Sequence, residues 1–158
     1  MTVDNNPNPT SPLTGTSGDD IIIGVHGGET LNGGAGNDVL LGRGGATLTG
    51  GSGDVIFGFR QPSDGPVTIT DFNDTTQHDV IGIDANFFGS GLSPGMDVTP
   101  IFETSGDDQF QSTTSLFHFD TANSTLYFSP DGTTGSATAL AQVQSGVTLG
   151  PADIRIVG

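Results

Sequence analysis

GGAGNDVLL, residues Gly33 to Leu41, stands in the middle of a run in which one short unit recurs. GTSGDDIII (Gly15 to Ile23) and GVHGGETLN (Gly24 to Asn32) precede it, and GRGGATLT (Gly42 to Thr49) and GGSGDVIF (Gly50 to Phe57) follow. Three of these units are nine residues long and two are eight. If the gap in each short unit falls before its acidic position, the eighth position is Ile22, Leu31, Leu40, Leu48 and Ile56. A spacing of that length is far too long for a helix face. Glycines let the backbone turn with positive φ and admit a close approach, while the last three residues of each unit suit a short strand.

Each unit is then half a coil. Two units complete one coil, stacked coils lie about 4.8 Å apart, and the eighth-position side chains are buried between two facing sheets. Adjacent units fall on opposite sheets and alternate units stack, which predicts a parallel β-roll over residues 15–57.

GGAGNDVLL fits the pattern GGxGxDxUx and so resembles the nonapeptide of the RTX calcium-binding exoproteins. The rest of the chain resembles the C-terminal regions of RTX proteins exported by type I secretion. The matching stretches are Thr70-Asp71-Phe72 with Asp79 to Asp84, Phe117 to Asp120 with Leu126 to Gly132, and Asp153 to Val157. Together with the repeats this covers roughly nine tenths of the chain, the tail more loosely than the repeats. The resemblance implies an all-β fold, a parallel β-roll followed by a β-rich capping region, with Ca2+ as the bound ion and the type I secretion machinery as a partner.

Calcium takes six to eight oxygen ligands in a forgiving geometry. The repeat offers a sixth-position carboxylate and carbonyl oxygens nearer the start of the turn. Stacking of the first, third and fifth units would place Asp20, Asp38 and Asp54 in one column, with Gly15, Ser17, Gly33, Ala35, Gly50 and Ser52 supplying turn oxygens, and two ions between the three acids. The other column has Glu29 and Ala46 at that position and should be weak or empty. Recurrence at fixed spacing is what raises these acids above ordinary solvated turn aspartates.

Composition points the same way. The 158 residues carry a formal charge of −15, with three arginines and no lysine, so nucleic acid is excluded as a partner by charge. So much like charge in a glycine-rich chain opposes compaction unless cations neutralise it. With no cysteine there is no disulfide, thiolate zinc site or thiol nucleophile. No stretch reaches transmembrane length.

After Phe57 the pattern changes to ordinary strands such as Val67 to Thr70 and Leu116 to Phe119, with Ala137 to Val143 ambiguous between strand and helix. The chain divides into a polar leader or extended arm (residues 1–14), the roll (15–57) and a β-rich cap with a secretion-signal region (58–158). HExxH is absent, neither Gly-Ser-Gly has the context of a serine elbow, and His26, His78 and His118 read as scattered exposed side chains, so no enzyme is expected. Asp71, Asn73 and Asp74 open like an EF-hand loop, but the twelfth position is Gly82 and no glutamate closes it. The expected function is calcium-triggered folding outside the cell, then a structural role at the surface or in the extracellular matrix. Self-assembly into a homo-oligomer or filament could follow through the open edge of the first coil. The alternative is a C-terminal secretion and folding module of a larger exoenzyme such as a protease, lipase or alginate epimerase.

Overall fold

The last residues of each repeat unit do become strands, and the strands alternate between two sheets. The computed structural model describes residues 2–3, 12–73 and 75–158. One sheet has six strands: β1 (Thr2–Val3), β3 (Ile21–Ile23), β5 (Val39–Leu41), β7 (Ile56–Phe59), β9 (Val80–Asp84) and β14 (Ile154–Val157), each parallel to its neighbour. The other has eight, in the order β10 (Phe102–Ser105), β11 (Phe117–Asp120), β12 (Thr125–Phe128), β13 (Thr138–Gln142), β8 (Val67–Ile69), β6 (Thr47–Ser52), β4 (Thr30–Ala35) and β2 (Leu13–Thr14). This second sheet is mixed, because β12 runs antiparallel to both β11 and β13. Strand outweighs helix, 36% against 11%, so the chain is β-rich and not purely β. Among the described residues the one α-helix, α1 (Ala85–Phe88), is a single turn whose Asn86 N–H is capped by Asp84.

From β2 to β9 each strand pairs in parallel with the strand two places along, so the backbone winds from one sheet to the other and back. The winding continues beyond the repeat, since β8 pairs with β6 and β9 with β7. Ile22, Leu31, Leu40 and Leu48 are at most 1% exposed and sit in one core that runs from Leu13 to Ile156. The residues after Phe57 share that core through Phe72, Phe117, Phe119 and Phe128.

The fifth unit departs from the sequence reading. β5 pairs with β7 through Val39–Ile56 and Leu40–Phe57, so Phe57 and not Ile56 holds the eighth position. The gap falls at the end of this unit. A one-residue slip turns every side chain of a strand to the other face. The register adopted buries the Phe57 ring completely and Val55 to 1%, and leaves Asp54 in solvent. The alternative would bury Asp54 and expose phenylalanine, which costs on both counts.

Part of the leader is also placed. Thr2–Val3 pairs with Ile22–Ile23 and Leu13–Thr14 with Leu31–Asn32, so the described ends of the leader add a strand to each sheet of their own chain. The rest of the leader expected as a tail or extended arm, residues 1 and 4–11, lies outside the described residues. The ambiguous segment at 137–143 is strand β13.

Candidate metal centre

The turns that lead into the six-stranded sheet carry the acidic residues. Registers Ile21–Val39, Val39–Ile56 and Ile56–Val80 make the preceding residues, Asp20, Asp38, Val55 and Asp79, one column. All four are buried, at 6%, 1%, 1% and 2% exposure. This position has the inward parity of the core leucines, so each carboxylate points back under its own turn.

Backbone donors hold the column. Asp38 Oδ1 accepts the Asp20 N–H at 2.8 Å, and Asp79 Oδ1 accepts the Val55 N–H at 2.9 Å. Asp20 Oδ2 takes both the N–H and the hydroxyl of Thr16, which hold its carboxyl below the usual range. Asp79 Oδ2 accepts from the Asn73 N–H. Asp38 Oδ2 is different: it is buried and meets no hydrogen-bond donor among the described residues. Burial therefore pushes the Asp38 carboxyl up, the Asp20 N–H pulls it partly back, and the charges of Asp20 and Asp19 add to the rise.

The space beside that oxygen is kept by glycine. A Cβ on Gly33 would collide with Asp38 Oδ2 and with the Gly50 carbonyl oxygen of the next coil. The first turn repeats the plan, since a Cβ on Gly15 would collide with the Gly33 carbonyl and lie 3.0 Å from Asp20 Oδ2. Each turn thus gathers a carboxylate oxygen and a neighbouring coil's carbonyl around a bare α-carbon. No group of three or more His, Cys, Asp or Glu side chains assembles among the described residues, so a cation here would draw on carbonyl oxygens as well.

Asp54 is not in this column. It belongs to an outer row, level with Asp19, Asn37 and His78, in which each side chain accepts the N–H of the next coil: Asp19 from Asn37 at 2.8 Å, Asn37 from Asp54 at 2.9 Å, Asp54 from His78 at 3.1 Å. Val55 occupies the third inward place. Of the turn residues, Ser17 and Ala35 lie at the outside of their turns, with Ala35 N–H bonded to the Thr16 carbonyl and the Ser52 carbonyl to Gly36 N–H. Gly50 stacks against Val55 and Phe57 instead of an acid. Asp79 was missed by the repeat, yet Asp79-Val80-Ile81 has the same acid-apolar-apolar order as Asp38-Val39-Leu40.

On the opposite turns Glu29 is 1% exposed and uses Oε2 to accept the His26 N–H, capping its own loop, and Ala46 lies level with it. Asp71 caps the Gly50 and Gly51 N–H groups, so it opens no EF-hand loop; Asp74 lies outside the described residues. His118 corrects the sequence reading, because it is fully buried. The loop after β10 covers it: Nε2 lies 2.7 Å from the Asp107 carbonyl, Nδ1 3.2 Å from Glu103 Oε1, and Phe110 packs on the ring. Ser105 Oγ is 3.3 Å from Nε2 but donates to Asp107 Oδ1 at 2.7 Å. Nε2 carries its proton toward a carbonyl and so is not placed to take one from Ser105.

No protein-family model matches the chain, and no curated protein matches it.

Proposed function

We propose that the chain is a secreted calcium-binding protein of RTX type, whose winding strands form a parallel β-roll that folds when calcium occupies the inward acidic column. The observation that carries this reading is Asp38 Oδ2, a buried carboxylate oxygen with no donor, beside a glycine α-carbon and a carbonyl oxygen. An uncompensated buried charge is costly, and a hard cation is the partner that suits an all-oxygen surrounding. Asp38 Oδ2 and the Gly50 carbonyl would hold one ion, and Asp20 Oδ2 with the Gly33 carbonyl a second. The ion supplies charge neutralisation between coils; the chain's own residues hold the turn open for it.

Linkage then gives the biology. Where calcium is scarce an acidic, glycine-rich array stays unfolded and exportable; outside, each site at a hundredfold excess over its Kd adds about 2.7 kcal/mol to the folded state. The folded protein serves a structural role at the surface or in the matrix, with no catalysis. Pairing of β1 with β3 inside one chain supplies the first coil with a strand, so this role does not require a neighbour's leader.

Circular dichroism in excess chelator and in millimolar calcium tests the reading. A strand-rich spectrum only with calcium supports it, and an unchanged strand-rich spectrum in chelator contradicts it.

A further inference from the structure

Two of the three arginines in this acidic chain stand together. Counting on three residues from the Leu40–Phe57 pair brings Arg43 level with Arg60 on adjacent coils, in the turns that leave the six-stranded sheet. This is the opposite edge from the acidic column. Like charges side by side are unfavourable, and they line one cavity of about 160 Å³ together with Gln61 and Phe87. Arg60 is offset by Asp64, 3.8 Å from its Nε. Arg43 has no ion pair among the described residues, and its Nε is buried without a hydrogen-bond partner. Phe87, on α1, is 65% exposed beside it.

A second cavity of about 200 Å³ shares Arg60 and runs along the outer face of the six-stranded sheet. Its walls are Leu41, Ile56 and Val157. Its floor is open because two glycines, Gly58 and Gly82, pair in register, and a Cβ on Gly82 would come within 2.8 Å of Ile56 Cγ2. Asp84 lines this trough as well, which disfavours an anion there and leaves the arginine cavity for the charge. Arg60 lines both spaces, and each is below the roughly 300 Å³ of a drug-sized site, so an occupant reaching from one to the other past Arg60 must be small.

We propose that these neighbouring spaces on either side of Arg60 bind a small monocarboxylate with an apolar tail, its carboxylate on the Arg43 and Arg60 guanidinium groups and its tail in the trough between Leu41, Ile56 and Val157. A carboxylate matches the planar fork of arginine and would give the half-buried Arg43 guanidinium a counter-charge. A polyanion is disfavoured by the net charge of −15.

Calorimetric titration of the full chain in millimolar calcium with hexanoate, hexanamide, acetate and inorganic phosphate tests this. Hexanoate should bind one to one, with hexanamide weaker by about tenfold or more for loss of the charge-assisted bonds, and acetate weaker by more than about tenfold for loss of the tail. Arg43→Met should bring hexanoate down to the level of hexanamide. Hexanoate binding no tighter than hexanamide, phosphate binding tighter than hexanoate, or an Arg43→Met variant with unchanged affinity would each overturn the proposal. The four-ligand comparison uses the unaltered protein, so it decides the matter even if the variant does not fold.

Discussion

Asp38 is 1% exposed, and while one of its oxygens caps the Asp20 N–H the other meets no donor, so without a cation the residue is held at a cost. Asparagine keeps the capping oxygen and removes the charge. In chelator Asp38→Asn should therefore raise the folded fraction, and in calcium it should forfeit most of the roughly 2.7 kcal/mol that a saturated site supplies. Melting curves with and without calcium measure both. The same burial predicts a pH dependence. Desolvation is the main cause that raises Asp38 and Asp79 above the ordinary 3.8, so the folded state holds their protons where the unfolded chain has lost them. Their contribution is present below 3.8 and is lost as pH rises through the raised values. In chelator the folded fraction should thus grow as pH falls from neutral toward the raised values, followed by circular dichroism, and calcium at neutral pH should remove the difference. A folded fraction in chelator that falls over that range would contradict the assignment.

At the scale of the strand and its turn, register decides which acid is a candidate ligand. Asp54 lies in the outer row and caps the His78 N–H, so Asp54→Ala should leave the calcium midpoint unchanged and cost about 1 kcal/mol or less. Asp54→Ala shifting that midpoint as far as Asp38→Asn would mean that the inward column is misassigned. Most of this layer was legible in the sequence: the repeat located β3 to β7 and their alternation between two sheets, and it put Asp20 level with Asp38. The fifth unit was not legible, because an eight-residue unit does not say where its gap lies. Burial of Val55 and Phe57 against exposure of Asp54 is an energetic choice that needs the neighbouring coil. The coil formed by β8 and β9 was hidden for another reason, since its turn from Asp71 to Asp79 lacks the glycines of the repeat and is held by side chains instead. His118 was hidden because its cover, the loop around Asp107 and Phe110, contacts it from a different strand connection.

The described residues share one core from Leu13 to Ile156, to which the repeat region contributes aliphatic residues and Phe57, while the other core phenylalanines follow the repeats. The winding strands and the C-terminal strands should accordingly unfold together. Cutting the chain after Thr70 removes Phe72, Phe117, Phe119 and Phe128 from that core and opens the edge of β8, so the remaining piece should stay unfolded in millimolar calcium, with circular dichroism as the readout. A piece that folds by itself would show two independent units. On the proposed reading calcium and core act jointly: ions would offset charge repulsion at one edge of the coils while the buried rings offset chain entropy. The most direct test of this account is a crystal structure grown in calcium with anomalous diffraction data. A bound calcium ion should give a peak within about 2.3–2.6 Å of Asp38 Oδ2 and of a carbonyl oxygen of the adjoining coil. An ordered Asp38 with no peak beside it would contradict the account.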